Sequence, residues 1–222
     1  MAQLEGVFAV SCTPFDAAGE VDERVLRRHV LWMLDEGVDG VIPTGSTGEF
    51  AFLSEDERRR VLAVTLEAAG GRVPVYAGAA ACATRETVRH ARHAEQAGAD
   101  GVMIVSPYYG HLSQDELYHH FRAVSESIAI PVILYNNPGT TGSDVLAETV
   151  ARLAELRNIV AVKESTGEMQ RVNEIINGKR GITPSTALRL ARFFGMSADF
   201  WMNLQSAYEL DLARREMARA GC

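Results

Sequence analysis

The sequence predicts an α/β fold of the (β/α)8-barrel type that stops after about six βα units and continues into a C-terminal all-α segment. Three observations predict it. Short apolar runs recur roughly every 30 residues, which is the length of one βα unit. Amphipathic stretches with helix start signals separate these runs. The runs are apolar throughout, which is typical of parallel strands covered by helices on both faces of a sheet.

Six apolar runs are the predicted strands. In chain order they are Val7–Val10, Gly40–Pro43, Pro74–Ala77, Gly101–Val105, Pro131–Tyr135 and Asn158–Val162. Two of the intervening helices start with a capping-box pattern, in which Ser54 or Ser113 is followed by Glu three positions later. Gly37 and Gly98 each end a helix in the repeated pattern Gly-X-Asp-Gly-Val, where the chain turns directly into a strand.

A barrel is favoured over an open doubly wound sheet by two features. The segment Gly45–Gly48 follows the second strand but does not form the Gly-X-Gly-X-X-Gly pattern of a dinucleotide site. Polar and aromatic residues gather directly after four strands, at Thr44–Glu49, Ser106–Gly110, Tyr135–Gly142 and Lys163–Thr166. Because barrel enzymes carry their chemistry at the carboxyl ends of the strands, these four segments are the predicted functional face.

The strand period fails near residue 190. Thr183 is a candidate N-cap, Pro184 suits the first helical position and Gly195 suits the end of that helix. The sequence therefore predicts two parts, an incomplete barrel domain over residues 1–172 and a helical segment over residues 173–222. The first part has 15 Lys and Arg against 24 Asp and Glu, and the second has 7 against 5.

Composition and sequence pattern argue against a metal-binding, membrane-spanning or secreted protein. The chain has 222 residues, a net charge of −7 and three cysteines that are far apart and lack metal-ligand spacing. No apolar run approaches the ~18 residues of a membrane span, and the first ten residues lack the pattern of a signal peptide. We therefore expect a cytoplasmic protein with no metal site and no membrane partner.

Lys163 is the first candidate catalytic residue. Of 22 basic residues only Lys163 and Lys179 are lysines, and Lys163 directly follows an apolar run. A lysine facing an apolar barrel loses hydration of its charged form, which favours the neutral amine. A neutral amine can attack a ketone and form a Schiff base. The alternative is a structural lysine that reaches the barrel mouth beside Glu164.

Tyrosines and small polar residues complete the candidate site. Tyr135 ends the fifth strand, and its phenol could exchange protons with a hydroxyl such as that of Ser46. Tyr109 follows the fourth strand, and packing at a subunit interface is the alternative role for these tyrosines. Thr47 and Gly48 could turn backbone N–H groups toward a carboxylate.

Four motifs give the chain a specific resemblance. They are Gly45-Ser46-Thr47-Gly48-Glu49, Ser106-Pro107-Tyr108-Tyr109-Gly110, Ile133-Leu134-Tyr135-Asn136-Asn137-Pro138 and Val162-Lys163-Glu164. On these motifs, residues 1 to about 172 resemble the dihydrodipicolinate synthase / N-acetylneuraminate lyase family, the class I pyruvate-dependent aldolases. The resemblance implies a lyase that acts on pyruvate, or another 2-oxo acid, and an aldehyde. It implies no metal or organic cofactor, because the lysine itself is the electron sink.

The resemblance also implies a role for each matched residue. Lys163 would form the Schiff base, Tyr135 would be the general acid and base, and Ser46 would be the relay hydroxyl. Thr47 and Gly48 would hold the pyruvate carboxylate. Tyr109 would reach into a neighbouring subunit of a homo-oligomer. Dihydrodipicolinate synthases carry an Arg where this chain has Thr140, so aspartate semialdehyde is not the expected aldehyde. The seventh and eighth strands of the family barrel are missing from the sequence pattern.

The C-terminal segment resembles a second family. The run from Arg171 to Thr183 resembles the recognition helix of XRE/Cro-like helix-turn-helix proteins, and its continuation is similar to Hig-type antitoxins. Such a helix enters the major groove of DNA. By this resemblance Asn173 and Asn177 would contact bases, and Arg171, Lys179 and Arg180 would contact phosphates.

Three functions therefore remain open from the sequence. The first is a Schiff-base lyase or aldolase. The second is a DNA-binding, antitoxin-like regulator, whose affinity for DNA would fall steeply with salt. The third is an inactive fusion of two truncated domains.

Overall fold

The computed structural model describes residues 4–167 together with residues 197, 199, 202, 203 and 206. The chain divides into two units, Met1–Thr166 and Gly167–Cys222. In the second unit, Asp199, Met202, Asn203 and Ser206 are helical. The predicted domain boundary at residue 172 and most of the predicted all-α segment lie outside the described residues, so both stay predictions.

Six strands form within two residues of the predicted runs. They are β1 (Phe8–Val10), β2 (Gly40–Ile42), β3 (Tyr76–Gly78), β4 (Gly101–Val105), β5 (Val132–Asn136) and β6 (Ile159–Glu164). The helices are α1 (Glu23–Asp35), α2 (Glu55–Ala69), α3 (Thr84–Ala97), α4 (Gln114–Ser127), the short α5 (Pro138–Thr141) and α6 (Ala147–Leu153). A 3₁₀ turn at Phe50–Phe52 precedes α2. Both predicted capping boxes are confirmed, at Ser54 for α2 and at Ser113 for α4.

The strands are parallel and follow one another in sequence order. β1 pairs with β2, and β3 to β6 pair consecutively. A parallel bridge between Val41 and Val75 links the two groups. A doubly wound sheet reverses its strand order at a switch point, whereas a barrel wall does not. The described part of the chain therefore has the strand order of a (β/α) barrel wall.

The core has two layers, one on each face of the sheet. On one face, side chains such as Ile42, Tyr76, Met103 and Tyr135 form a single apolar cluster. Helices cover part of the other face, where Leu26 and its neighbours from α1 and α2 form a second cluster. The period-two alternation of a strand thus places Tyr135 on the same face as Met103. Within the described residues, no helix is long and apolar enough to span a membrane.

The outer strands differ from the prediction of fully buried runs. β2, β4 and β5 are buried along their whole length, but β1 and β6 are only partly buried. Val160 in β6 is 40% exposed. The reason is that β1 and β6 each have a strand neighbour on one side only within the described residues. The apolar surroundings expected for Lys163 are therefore formed on one side, by β5.

A buried histidine makes stability depend on pH. His120 in α4 is 3% exposed, its Nδ1 shares a 2.9 Å hydrogen bond with Thr84 Oγ1, and burial lowers its pKa from 6.5 to about 4. The unfolded chain takes up a proton near pH 6.5 and the folded chain does not, so this contribution is full above that pH and is lost as pH falls toward 4. We expect His120→Gln to lose less stability than the parent between pH 7 and 5, by roughly 2 kcal/mol.

Urea unfolding at the two pH values measures this difference. The matched control is His119→Gln, because His119 lies on the same helix but is exposed. Equal pH dependence in the parent and the His120 variant would contradict the prediction.

Candidate active site

Lys163 and Tyr135 form the centre of the candidate site. They occupy the same register position on the neighbouring strands β6 and β5, near the carboxyl edge of the sheet. Lys163 Nζ lies 3.2 Å from the centroid of the Tyr135 ring. The amine is therefore placed over an aromatic face, with the phenol oxygen on the same ring.

The Tyr135 hydroxyl is surrounded by polar groups. Asn137 Nδ2 donates to it at 3.0 Å. Burial raises the pKa of Tyr135, but hydrogen bonding by Lys163 and Ser165, the positive charge of Lys163 and hydrogen bonding by Ser46 together outweigh burial and lower that pKa below its ordinary value of 10. A phenol with a lowered pKa is better matched to proton transfer near neutral pH.

The segment that carries Ser46 and Thr47 is a strained turn. Thr44 has φ +54° and Glu49 has φ +58°, a left-handed conformation that costs free energy outside glycine. The Thr44 hydroxyl has Gly78 O at 2.8 Å and Pro43 O at 2.7 Å as acceptors, and the contact with Gly78 holds the turn against β3. A Cβ at Gly78 would lie 2.0 Å from Thr44 O, so this position has no room for another residue.

The turn leaves Ser46 and Thr47 exposed and uses the backbone N–H of Gly48 in a hydrogen bond. The side chains of Ser46 and Thr47 are exposed, whereas Gly48 is buried. The backbone N–H of Gly48 donates to Gly45 O at 3.0 Å and closes the turn. The expectation that this N–H points toward a substrate carboxylate is therefore not met in this structure, because the turn itself uses the donor.

The loop after β5 brings Thr140 beside the site. Asn137 Nδ2 donates both to the Tyr135 hydroxyl and to Thr140 Oγ1, each at 3.0 Å. The sequence reasoning did not select Asn137 or Thr44. The sequence did point to Asn137, since it is the second residue after Tyr135 in the fifth-strand motif. Nothing in the sequence indicated the positive φ of Thr44, because threonine rarely adopts this conformation.

A cavity of about 410 Å³ opens next to these groups. Its lining residues are Ser46, Glu49, Phe50, Ala51, Phe52, Val105, Tyr108, Asn137, Thr140 and Thr141. Ser46 and Asn137 both line the cavity, and Asn137 also donates a hydrogen bond to the Tyr135 hydroxyl. Among these described lining residues there is no Lys, Arg or His, so the cavity wall is apolar with hydroxyl, amide and one carboxylate group.

The other predicted site residues are not found beside Lys163 and Tyr135 in the part of the chain that the structure describes. Tyr109 is 95% exposed on the loop after β4, and Phe52 is 86% exposed. The predicted DNA contacts Arg171, Asn173, Asn177, Lys179 and Arg180 lie outside the described residues. In the described residues no three His, Cys, Asp or Glu side chains cluster as a metal site.

Known proteins resemble this chain over the barrel region. The sequence model described as the dihydrodipicolinate synthetase family matches residues 3–184. The 4-hydroxy-tetrahydrodipicolinate synthase of Syntrophus aciditrophicus (strain SB) is 45% identical over 173 residues, which are 78% of this chain and 59% of that protein. The corresponding synthase of Brucella abortus biovar 1 is 46% identical over 77% of this chain and 59% of that protein.

Solved structures give the same result. The dihydrodipicolinate synthase of Aquifex aeolicus superposes with a TM-score of 0.76 at 39% identity, over 78% of this chain and 59% of that one. The chloride-inhibited dihydrodipicolinate synthase of Acinetobacter baumannii, complexed with pyruvate, gives 0.77 at 35% identity, over 83% and 66%.

The chain spans about three fifths of the length of the curated relatives it matches. The family match extends to residue 184 and includes positions 171–180, for which the sequence predicted DNA contacts. The family model covers most of the chain, and the strand order and the paired Lys163 and Tyr135 agree with the motif resemblance. The chain belongs to the dihydrodipicolinate synthetase family.

Proposed function

We propose that this chain is a Schiff-base-forming lyase of the class I aldolase type, acting on pyruvate or another 2-oxo acid and an aldehyde. The observation that carries the proposal is the placement of Lys163 Nζ 3.2 Å from the Tyr135 ring centroid at the carboxyl edge of the sheet. The pyruvate complex of the A. baumannii relative supports pyruvate as the 2-oxo acid. The match of the remaining motif residues supports the roles given below.

In the first half of the reaction, Lys163 activates pyruvate. After releasing its proton to solvent, the amine of Lys163 attacks the keto carbon and forms a carbinolamine. Tyr135 gives its proton to the carbinolamine oxygen, water leaves, and a positively charged C=N bond remains. The Tyr135 phenolate then removes a proton from the pyruvate methyl group, which gives a neutral enamine. The lowered pKa of Tyr135 favours this cycling between phenol and phenolate.

In the second half, the enamine carbon attacks the aldehyde carbon and forms the new C–C bond. The aldehyde oxygen takes the proton of Tyr135 as its charge develops. Water then adds to the C=N bond, its proton returns to Tyr135, and collapse of the carbinolamine releases a 4-hydroxy-2-oxo acid and the free amine. The lyase direction is the reverse sequence of the same steps.

Positioning of the substrates falls to the turn after β2. Thr47 is exposed on this turn beside Ser46, and its hydroxyl would bind the pyruvate carboxylate. Ser46, which contributes to the lowered pKa of Tyr135, would relay protons between Tyr135 and solvent. Tyr109 would act from a second copy of the chain in a homo-oligomer. Its 95% exposure leaves the phenol accessible to such a second copy.

The aldehyde is proposed to carry no carboxylate. Thr140 and the other described residues that line the cavity provide no cation to pair with one, and Glu49 would repel it. We expect the parent to condense pyruvate with butanal faster than with succinic semialdehyde, which has the same chain length. Thr140→Arg should raise the rate with succinic semialdehyde by about tenfold or more, since an Arg–carboxylate pair is a strong charge-assisted contact.

Product formation measured by mass spectrometry tests both the function and the aldehyde class. The matched control is Thr140→Gln, which lengthens the side chain without adding charge. A faster reaction of the parent with succinic semialdehyde would contradict the assigned aldehyde class. No condensation product with any aldehyde, from folded protein, would contradict the proposed function.

A further inference from the structure

Asn136 is a fully buried polar residue directly behind the candidate site. It is 0% exposed, and all of its side-chain polar atoms have partners. Its Nδ2 donates to Glu164 Oε2 at 2.9 Å and to Asp144 Oδ1 at 3.0 Å. Its Oδ1 accepts from the Val145 N–H at 3.0 Å. Burying an amide this completely is tolerated only when its hydrogen bonds are made, so the four residues act as one unit.

This unit lies on the face of the sheet opposite to Lys163 and Tyr135. The strand register pairs Tyr135 with Lys163 and, one residue later, Asn136 with Glu164. Because successive residues of a strand point to opposite faces, the two pairs lie back to back across the sheet. A contact that fixes Asn136 against Glu164 therefore also fixes how Lys163 sits against Tyr135.

The β5–β6 register needs such a contact. Val132 pairs with Ile159 but Ile133 pairs with Ala161, so Val160 is an extra residue at the start of β6. A shift of one residue turns every side chain of a strand to the other face, which would remove Lys163 from Tyr135. Within the described residues β6 pairs only with β5, so a second strand does not hold its register.

The same unit also anchors the loop that carries Thr140. Asp144 and Val145 follow α5 at the end of this loop, and both bond to the Asn136 side chain. At the end of β6, the Ser165 N–H donates to Asn136 O at 3.0 Å and the Thr166 N–H donates to Glu164 Oε1 at 2.8 Å. Asn136 thus connects β5, the end of β6 and the β5 loop.

We propose that Asn136, with Asp144 and Glu164, is a positioning residue that locks the register of β6 and so holds Lys163 against Tyr135 from the opposite face of the sheet. This inference rests on the proposed function for its catalytic consequence, but its structural part can be tested without turnover. Asn136 lies on the face of the sheet opposite to Lys163 and Tyr135, away from the atoms proposed to react.

The test compares Asn136→Ala with Asn158→Ala. Asn158 is a matched control because it is also a buried asparagine of the β5–β6 region, 7% exposed, but it directly precedes the amino end of β6, where its Nδ2 donates to Ser125 O, Ile128 O and Ile130 O. Both changes remove buried amide hydrogen bonds without changing the charge, and both are expected to lower the melting temperature. Only Asn136→Ala should separate Lys163 from Tyr135.

Two readouts decide the matter. With pyruvate and cyanoborohydride, Asn136→Ala should slow adduct formation by at least about tenfold with little change in the half-saturating pyruvate concentration, whereas Asn158→Ala should not. Titration of tyrosinate absorbance, with the Tyr135→Phe spectrum subtracted, should show the pKa of Tyr135 rising toward its ordinary value in Asn136→Ala only. The rise is expected because the nearby Lys163 contributes to the lowered pKa.

If the parent forms no adduct with pyruvate, that result counts against the proposed function alone. The tyrosinate titration then still tests the role of Asn136. If Asn136→Ala does not fold, Glu164→Gln replaces it. Loss of this carboxylate charge would by itself lower the pKa of Tyr135, so a rise reports displacement of Lys163. An unchanged or lowered pKa of Tyr135 in the folded variant, or the same slowing in Asn158→Ala, would overturn the proposal.

Discussion

Lys163→Arg is expected to lower the rate of pyruvate–aldehyde condensation by on the order of 10³-fold or more. A guanidinium stays protonated at working pH and has no free electron pair, so it cannot form the Schiff base. The variant keeps the positive charge over the Tyr135 ring, and we therefore expect it to fold. Steady-state kinetics and circular dichroism of the purified variant give the two measurements.

The matched control for this change is Lys179→Arg, which alters the only other lysine of the chain. It is expected to keep the parental rate. If Lys163→Arg retained a tenth of the parental activity, or if Lys179→Arg lost activity to the same extent, another residue would be the nucleophile.

Tyr135→Phe is expected to reduce turnover by about 10² to 10⁴-fold, the range typical of losing a general acid and base. The phenyl ring stays in place under Lys163, so slow trapping of pyruvate on the lysine should persist. The phenol donates protons only below its pKa, and that pKa is lowered. The parental rate should therefore decline on the alkaline side at a lower pH than an ordinary tyrosine would give, and the variant should lack this decline.

Tyr76→Phe is the control for Tyr135→Phe. Tyr76 is a tyrosine of β3 in the same apolar cluster, and burial raises its pKa rather than lowering it. We expect its rate to change by less than about twofold, within the small effects of changes away from the reacting groups. Equal losses in the two variants would show that the cluster needs tyrosine hydroxyls for packing and would remove Tyr135 from the mechanism.

The fold was largely predictable because its signals are local. Apolar runs at a fixed spacing, and caps such as Ser54 and Ser113, depend on residues close in sequence, and the six strands form where those signals are. The partial exposure of β1 and β6 was not predictable in this way. It depends on which strands are neighbours in space, and a run such as Ile159–Val162 has the same pattern at an edge as in the centre.

The candidate site was predictable in part, for a related reason. Three of the strand-end motifs contain Lys163, Tyr135 and Ser46, and the parallel strands bring the ends that carry them to one edge. The hydrogen bonds that connect them were hidden from the sequence. Asn137 bridges Tyr135 and Thr140 only because α5 folds the loop back. The Gly48 N–H donates its hydrogen bond within a turn that follows the strained residue Thr44.

The Schiff-base site is tested by mapping where pyruvate becomes attached to the full chain. The protein is incubated with pyruvate and borohydride, digested, and analysed by peptide mass spectrometry. We expect one pyruvate-derived adduct per chain, on Lys163 and absent from Lys179. A folded protein that carries no adduct, or carries it equally on both lysines, would contradict the claim that Lys163 and Tyr135 form a working Schiff-base site.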